Sequence, residues 1–376
     1  MKKEASIFNE EDMFWCSVPV PPIDNHKDGV FNFLPEQIAN YGQSQTHPSI
    51  VYIPGGWNGH EYWLATTPYP NSTGVFENTC IYYGDADLDG TPPPRLFHPI
   101  NGTANGIYTR VQNPITPVPD NAMINSDPDL FFDDNTLWLI SRENTNSFAT
   151  YSQKSIDGQS WTPRGARETG FLWRTGDGVL TGKPEFLSPA LIRVSSNKLR
   201  AYCLSGSAGI YPRNNVTNTG VCWGIWIMEG TTLEGSGDFV YTKKATLTGK
   251  RNIEPWHFDV FRDGETGFYY AICSGNNYNS NGVNGVYLAE SSDGLTFNMF
   301  SKPIIDAVPQ YRPTAFIDSN RNFVLYWCSE AGAPTDSHKY PRGASDISVD
   351  GRAIGVSFRN FDDMLSELRF HVVGWQ

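Results

Sequence analysis

Short apolar runs alternate with polar turns along most of the chain, and one arrangement of them recurs five times. In each copy a residue-Pro pair opens an apolar strand, a polar or glycine-containing turn follows, and a second strand is rich in aromatic residues. The copies are HPSIVYIPGGWNGHEYWLATTP from His47, DPDLFFDDNTLWLISREN from Asp127, SPALIRVSSNKLRAYCLSG from Ser188, EPWHFDVFRDGETGFYYAICSG from Glu254 and RPTAFIDSNRNFVLYWCSEAG from Arg312. This recurrence predicts a repeat architecture.

A further strand follows each hairpin, and two of these strands lead into near-identical turns, SIDGQSW (155–161) and SSDGLTF (291–297). In such a turn the Asp side chain caps the backbone, the Gly takes a positive φ and the final ring packs inward. Each unit therefore holds four strands, and five units around an axis predict an all-β, five-bladed β-propeller. A pair of β-sandwiches is the alternative, but the repetition in both registers favours the propeller.

The two ends of the chain do not follow the repeat. Residues 1–40 include the Pro-rich SVPVPPIDNHKDG, which predicts an extended arm or attachment segment. Residues 41–376 are expected to form the propeller, with blades that open near positions 47, 127, 188, 254 and 312. A short helix is predicted near the C-terminus, in FRNFDDMLSELRFHVVGWQ, with Asp362 as its N-cap.

Composition narrows the classes of function. The formal net charge is −12 and no Lys/Arg cluster interrupts it, which argues against nucleic-acid binding. The N-terminus lacks the apolar segment of a signal peptide, and no apolar run is long enough to predict a membrane span. The six cysteines form no CxxC pair, so free buried thiols are expected in place of a zinc site or a disulfide scaffold.

In a propeller the innermost strands bring their pre-proline residues to one mouth of the central channel. The expected ring consists of His47, Asp127, Ser188, Glu254 and Arg312. Two carboxylates that flank a glycosidic bond can hydrolyse it, which makes Asp127 and Glu254 the candidate catalytic pair. Arg312 would keep a carboxylate ionised, and His47 would donate to a sugar hydroxyl or shift a neighbouring pKa.

Other side chains near this mouth are candidates for sugar binding. Besides His47 and Arg312 they are Trp57, Trp63, Tyr69, Trp256, His257 and Asp259. The aromatic rings would stack on pyranose faces. Because side chains alternate along a strand, only some of these residues can face the channel. An interior packing role is the alternative for His257, and ion pairs that merely plug the channel are the alternative for His47 and Arg312.

Residues from His47 to about Phe361 resemble the five-bladed propeller of the glycosidase superfamily that includes arabinanases, β-xylosidases, invertases and levanases. The segment DPDLFFDDNTLWLISR is similar to the superfamily segment that carries one active-site Asp, here Asp127. The string HPS…WNG…YW…TPYP…EN more specifically resembles propeller domains of phage tail and spike proteins and of glycosidase-like bacterial proteins. Some members of the superfamily hold calcium in the channel. No cofactor is expected here; calcium held by Asp127 or Asp259 is the alternative that the resemblance leaves open, although no linear calcium motif is present.

The superfamily pattern is altered at two positions. His47 stands where the glycosidases have an Asp-Pro, and Ile253 stands where they keep the acid, because Glu254 directly precedes Pro255. Only Asp127 therefore maps onto the family's catalytic residues. A rebuilt catalytic site would use Asp127, Glu254 and Glu77.

Three functions are compatible with these features. The primary hypothesis is a virion tail or spike protein that binds a host-surface glycan through the propeller and contacts other virion proteins through its N-terminal arm. The alternative is a polysaccharide-trimming glycoside hydrolase, on a virion or as a cytoplasmic or extracellular bacterial protein. An inert structural virion component is the third. The expected partner is surface carbohydrate, without nucleic acid or membrane insertion.

Overall fold

The computed structural model describes fifteen ranges of the chain, and every structural statement below refers to them. They are residues 6–18, 44–68, 79–85, 93–100, 124–144, 149–162, 174–175, 178–179, 184–207, 225–234, 239–249, 255–275, 285–306, 310–329 and 352–373. Within these ranges the chain forms five β-sheets and one C-terminal helix.

The sheets follow one another along the chain as blades one to five. A short 3-10 helix (Glu10–Asp12) and strand β1 (Phe14–Trp15) precede blade one. Blade one contains β2 to β5, which are Gln45–Trp57, His60–Pro68, Cys80–Asp85 and Leu96–Pro99. Blade two contains β6 to β8, which are Ile124–Asp133, Thr136–Asn144 and Ala149–Ser155.

Blades three and four contain extra strands at their outer edges, beyond the four of the repeat. Blade three contains β9 to β14, which are Arg174–Thr175, Gly178–Val179, Pro184–Ser195, Lys198–Ser207, Ile225–Gly230 and Val240–Lys244. Blade four contains β15 to β19, which are Thr246–Gly249, Pro255–Arg262, Tyr269–Gly275, Gly285–Ser291 and Thr296–Met299. Blade five contains β20 to β22, which are Gln310–Ile317, Asn322–Ser329 and Ala353–Asn360.

The inner strands β2, β6, β11, β16 and β20 contact one another in that cyclic order, and β20 returns to β2. This closed ring confirms the predicted five-bladed propeller. The ring is joined by both ends of the chain, because β1 pairs antiparallel with β22, with Phe14 opposite Val356. Residues 6–18 thus pack on blade five, while the rest of the predicted arm (1–5 and 19–40) lies outside the described residues.

The two repeated turns have the predicted geometry. In the first, the Asp157 carboxylate accepts from the backbone N–H groups of Gln159 and Ser160, and Gly158 has a φ of 74°. A Cβ on Gly158 would lie 2.1 Å from the Trp63 ring, so the turn can pack this closely on blade one only with glycine. The second turn repeats these contacts around Asp293 and Gly294. Each turn thus docks its blade onto the preceding one.

The C-terminal helix spans Phe361–Val373 and confirms the sequence prediction of a helix in this segment. Its N-cap differs from the one expected, because Asn360 Oδ1, not Asp362, accepts from the backbone N–H of Asp363. Asp362 instead pairs with Arg321, which also pairs with Asp263 on the neighbouring blade. The Asp362 carboxylate is paired with Arg321, and the Asn360 side chain caps the helix instead.

Candidate functional site

The residue-Pro pairs of the repeat lie inside four of the inner strands, at breaks in the hydrogen-bond ladder. The register shifts fall between Thr46 and Ser49, Ser126 and Asp129, Leu187 and Ala190, and Tyr311 and Thr314. A proline has no N–H to give to the ladder, and a β-bulge is one of the few interior places that tolerate it. The expectation that proline opens the strand is therefore wrong for these four, and only β16 begins at its proline, Pro255.

Three of the pre-proline residues have a left-handed backbone. The φ angles are 52° at His47, 51° at Asp127 and 48° at Ser188. Such a conformation in a residue other than glycine costs on the order of 1–3 kcal/mol and is concentrated at functional sites. The rest of the fold therefore holds these three side chains in place against a local preference.

In blade four the side chain at the equivalent position is His257, which is not a pre-proline residue. His257, two residues beyond Pro255, contacts Asp127 and Ser188 across the channel. It takes the place that the repeat had assigned to Glu254, which itself lies outside the described residues. We name the resulting set the upper ring. It consists of His47, Asp127, Ser188, His257 and Arg312.

Asp127 lies at the centre of the upper ring. Its Oδ1 is 3.5 Å from His47 Nε2, 3.7 Å from His257 Nδ1 and 3.9 Å from Arg312 NH1. The two imidazole rings face each other, with centroids 5.1 Å apart. All of these side chains are buried, and Asp127 is 0% exposed. Three ionisable side chains from blades one, four and five thus converge on one carboxylate oxygen of blade two.

A threonine fixes the orientation of the first imidazole. His47 Nδ1 lies 2.8 Å from Thr67 Oγ1, and that hydroxyl donates to the backbone carbonyl of Thr46 at 3.4 Å. The hydroxyl therefore accepts from His47 Nδ1–H, and this tautomer directs the Nε2 lone pair toward Asp127. An outer partner of this kind is the usual support of a metal-binding histidine.

The environment of the second imidazole favours its neutral form. Burial lowers the pKa of His257 well below its usual value, and the positive charge of Arg312 acts in the same direction, while Asp127 opposes it. His257 Nδ1 also lies 2.5 Å from Ser188 Oγ, a hydrogen bond across the channel. A neutral imidazole is the protonation state that binds metal ions.

These three side chains have the composition and spacing of a metal-binding set. One ligand atom from each of His47, Asp127 and His257 lies within 4.8 Å of the others. Two ligand atoms held about 2.1 Å from a tetrahedral ion lie about 3.4 Å apart, close to the 3.5 and 3.7 Å that separate Asp127 Oδ1 from the two imidazole nitrogens. Two imidazoles and one carboxylate also form the ligand set of several catalytic zinc sites.

A second layer lies two residues further along each inner strand. We name it the lower ring. It consists of Ser49, Asp129, Ala190, Asp259 and Thr314. Asp129 accepts from Ser49 Oγ at 3.3 Å and from the backbone N–H of Leu191 at 2.9 Å. Asp259 accepts from Thr314 Oγ1 and from its neighbouring N–H, both at 2.7 Å. The lower ring thus links blades through hydrogen bonds.

The two acids of the lower ring, Asp129 and Asp259, are shielded from solvent. Burial raises the pKa of Asp129 well above its usual value, and the charge of Asp259 adds to the effect. Burial also raises the pKa of Asp259. Arg312 lowers both, so its guanidinium acts on the lower ring as well as on Asp127. The hydrogen bonds to these acids explain why they are tolerated there.

Two of the three tryptophans predicted to bind sugar, Trp57 and Trp63, lie away from the upper ring. Trp57 is 6% exposed and Trp63 is 0% exposed, and they pack on each other at 5.3 Å between blades one and two. Trp57 stands at the far end of β2, opposite His60, ten residues along the chain from His47. With so little ring face exposed, both tryptophans contribute to packing between the blades.

The remaining predicted residues divide between the two rings and the parts not described. Asp259 belongs to the lower ring, and its hydrogen bonds are those of a structural group. Tyr69 and Glu77 lie outside the described residues, as do Glu254 and the Trp256 side chain. Five cysteines of the described chain are buried and form no disulfide, in line with the predicted buried thiols, and they are Cys16, Cys80, Cys203, Cys273 and Cys328. In the described part of the chain, every helix is too short or too polar to cross a bilayer.

The sequence alone did not group the three metal-binding residues or identify the threonine that supports His47. His257 precedes Phe258, not a proline, so the repeat in blade four pointed to Glu254. Thr67 lies on the second strand of its blade, where a single threonine carries no signal. The alternation of side chains along EPWHFDV was the available clue, because it places His257 and Asp259 on one face.

Comparison with known protein families finds no match, and comparison with curated proteins finds none either. Solved structures do match. An N-acetylgalactosamine deacetylase from F. plautii, solved with blood group B trisaccharide, is 15% identical with a TM-score of 0.63, and the match covers 94% of this chain and 96% of that one. A GH43_1 enzyme from Xanthomonas citri is 11% identical with a TM-score of 0.51, covering 84% and 88%.

A third similar structure, RS223 β-xylosidase, is 9% identical with a TM-score of 0.50, and the match covers 84% of this chain and 92% of that one. At these identities the likeness shows the fold alone. The chain is thus a five-bladed propeller with structural neighbours among family GH43 glycoside hydrolases. The finer resemblance to phage tail and spike propellers stays a prediction.

Proposed function

We propose that this protein is a carbohydrate-active hydrolase that holds one divalent metal ion on His47, Asp127 and His257. The observation that carries the proposal is that Asp127 Oδ1 lies 3.5 and 3.7 Å from one nitrogen of each of two imidazoles, close to the ~3.4 Å between two ligands of a tetrahedral ion. The reaction class we assign is hydrolysis of an acyl group, an amide or ester, attached to a sugar.

The chemistry follows from the ligand set. A divalent ion bound by three protein ligands keeps an open position, polarises a carbonyl oxygen and lowers the pKa of water. The roles of the protein groups are separate. Thr67 orients His47 through Nδ1, and Asp127 supplies the negative charge. Burial lowers the pKa of His257 and so favours the neutral form that binds a metal ion. An ion on Nδ1 of His257 would take the lone pair that faces Ser188.

The choice of an acyl sugar as substrate rests on two arguments. The solved structure with the TM-score of 0.63 is named as an N-acetylgalactosamine deacetylase, which hydrolyses an acetamido group on a sugar. A site with two imidazoles and one carboxylate suits carbonyl chemistry, whereas glycoside hydrolysis commonly requires two carboxyl groups on either side of the scissile bond. In the upper ring the described residues supply one carboxylate, Asp127.

A panel of sugars tests this proposal. Metal-depleted protein is reconstituted with Zn²⁺, Mn²⁺, Co²⁺ or Ca²⁺ and assayed for acetate release from N-acetylhexosamines and O-acetylated oligosaccharides. We expect acetate release that a chelator abolishes and that one of the transition ions restores. Acetate release at the same rate after chelation, or no release from any acylated sugar, would contradict the proposal.

Glycoside hydrolysis through Asp127 and Glu254 is the second candidate, because one of the similar structures is a GH43_1 enzyme and another is a β-xylosidase. It predicts turnover of aryl glycosides that chelators do not affect, with a loss of more than ~100-fold in Asp127→Asn or Glu254→Gln. The metal dependence of any activity therefore separates the two candidates.

Other roles predicted from the sequence concern virions and the channel. None of the named similar structures is a virion protein, and binding of a host-surface glycan by a tail or spike protein stays a prediction, as does its location on a virion. The same holds for the inert structural role, for contacts through the N-terminal arm and for calcium in the channel. Adsorption blocking by the purified protein tests the receptor role.

A further inference from the structure

Arg312 is a buried cation with unused hydrogen-bonding capacity. Its side chain is 1% exposed, and NH2 donates to the backbone carbonyl of Pro189 at 3.1 Å. Within the described residues, Nε and NH1 have no hydrogen-bond acceptor. A guanidinium carries five N–H donors and stays charged in proteins, and buried donors without acceptors are strongly disfavoured. These donors therefore point to an acceptor that the described residues do not supply.

The place of these donors relates them to the metal-binding set. NH1 lies 3.9 Å from Asp127 Oδ1, which is too long for a hydrogen bond. The backbone carbonyl of Pro189 holds the other side of the guanidinium, so the NH1 edge stays directed at the centre of the upper ring. An oxygen atom bound beside Asp127 would lie within reach of NH1.

Charge favours an electron-rich oxygen at this point. A divalent ion on Asp127 and two neutral imidazoles would carry a net charge of +1, and Arg312 raises it to +2. The acids that face Arg312 from the lower ring are Asp129 and Asp259, whose pKa values burial raises. They are the competing explanation for Arg312, since it could serve only as their counter-ion.

We propose that Arg312 is a catalytic residue that binds the acyl oxygen of the substrate and stabilises the negative charge that develops on it. The proposal rests on the proposed function and deepens it by naming the substrate group this residue contacts. It assigns to the site a ligand that presents a carbonyl or carboxylate oxygen beside the metal position. If Arg312 were only a counter-ion of Asp129 and Asp259, it would bind no such ligand.

Arg312 would assist the attack of water on the acyl group. The oxygen of water forms a bond to the acyl carbon, and the π electrons of the carbonyl move onto its oxygen, beside NH1. The oxyanion then reforms the C=O bond, the C–N or C–O bond to the sugar breaks, and the proton lost by the water passes to the leaving nitrogen or oxygen. The products are acetic acid and the free amino or hydroxyl sugar. Donors fixed at a developing oxyanion are a major source of rate acceleration.

Acetate, the carboxylate product, is the probe for this contact. Acetate is titrated into metal-free and Co²⁺-loaded wild-type protein, Arg312→Gln and Arg312→Lys, with calorimetry for both forms and the visible spectrum for the Co²⁺ form. Arg321→Gln is the matched control, because Arg321 lies on the same blade and pairs with Asp263 and Asp362 outside the two rings. Thermal unfolding checks that each variant folds.

We expect Arg312→Gln to weaken acetate binding by about 10- to 100-fold, the range for loss of a charge-assisted hydrogen bond. The acetate affinity of Arg312→Lys should fall between those of wild-type protein and Arg312→Gln, since lysine keeps the charge but not the planar donors. Co²⁺ affinity should be retained or increased, because a cation beside the metal is removed. In turnover, Arg312→Gln should reduce kcat more than it changes KM.

Two results would overturn the proposal. One is acetate affinity in folded Arg312→Gln, or in Arg312→Lys if the first does not fold, equal to that of wild-type protein and Arg321→Gln. The other is absence of acetate binding to wild-type protein both with and without metal. Failure of the proposed function gives a different result, namely no binding of any divalent ion while acetate still distinguishes wild-type protein from the Arg312 variants.

Discussion

The upper and lower rings lie two residues apart on the same strands, yet they treat buried charge in opposite ways. In the lower ring each acid receives short hydrogen bonds, such as those from Thr314 and Leu191. In the upper ring the contacts to Asp127 Oδ1 fall between 3.5 and 3.9 Å. The backbone is also left-handed at three upper-ring positions, whereas the lower ring has regular strand register.

This difference separates a structural layer from a functional one. Direct hydrogen bonds between blades bind the lower ring into the fold. Spacings of 3.5 to 3.9 Å around Asp127 Oδ1, and backbone strain of roughly 1–3 kcal/mol at each left-handed residue, are properties of a site arranged around something else. Substitutions should therefore affect metal binding in the upper ring and stability in the lower ring.

The largest expected effect is at the centre of the upper ring. Asp127→Asn should weaken binding of the preferred divalent ion by more than ~100-fold, because even changes in outer-shell partners typically cost 10- to 100-fold. Calorimetric titration of metal-depleted protein measures this. Asp134→Asn, an exposed turn residue with a φ of 46°, is the control and should bind as wild-type protein does. Equal binding by Asp127→Asn would remove the distinction between the rings.

A substitution behind the upper ring should give the next effect. Thr67→Val removes the hydroxyl that orients His47 while keeping the shape of the side chain, and should weaken metal binding by about 10- to 100-fold. Thr67→Ser keeps the hydroxyl and should restore most of the affinity. Titration of both variants shows whether the tautomer of His47 matters, and equal affinities for Val and Ser would show that it does not.

A lower-ring substitution should have the opposite outcome. Asp129→Ala leaves the Leu191 N–H and the Ser49 hydroxyl without their acceptor, and should reduce the free energy of unfolding by about 1–3 kcal/mol. Metal affinity should fall far less than in Asp127→Asn, because Asp129 is not one of the proposed ligands. Chemical denaturation and titration of the same sample measure both quantities. A stable variant that has lost metal binding would reverse the assignment of the two layers.

The same variant predicts a pH dependence. The folded-state pKa of Asp129 lies above its unfolded value of about 3.9, so the folded protein binds more protons between the two pKa values. Stability that depends on this group is therefore present at low pH and lost as pH rises through the folded-state pKa. The stability difference between wild-type protein and Asp129→Ala should shrink over that window. A difference that grows with pH would contradict the raised pKa.

The smallest effect is expected at Ser188. Its hydroxyl lies at the nitrogen of His257 that faces Asp127, so a metal ion must displace that hydrogen bond. Ser188→Ala should tighten metal binding by about 2- to 10-fold, the value of one neutral hydrogen bond. Weaker binding in this variant would instead make Ser188 a ligand of the ion.

The two layers also show what the sequence can and cannot predict. The fold followed from local signals, namely the repeated residue-Pro pairs, the Ser-x-Asp-Gly turns and the C-terminal helix. Asp127, His47 and Arg312 followed from the same repeat. His257 did not, because blade four reaches the upper ring without a proline at the bulge, and the shift of one side chain is set by strand pairing across the sheet.

The tryptophans illustrate a second limit. Aromatic residues near a predicted channel could stack on sugars or pack between blades, and their spacing along the chain fits both roles. Trp63 became a packing residue because Gly158 of the next blade closes on its ring, a contact between residues almost a hundred positions apart. Contacts of that range depend on how the blades are arranged around the axis.

Anomalous X-ray scattering from crystals soaked with Zn²⁺ or Mn²⁺ tests the central claim most directly. We expect one strong peak about 2.0–2.2 Å from His47 Nε2, a carboxylate oxygen of Asp127 and a ring nitrogen of His257. The peak should be absent from crystals of Asp127→Asn grown and soaked in the same way. No peak in the upper ring of the wild-type protein, or an unchanged peak in the variant, would contradict the account.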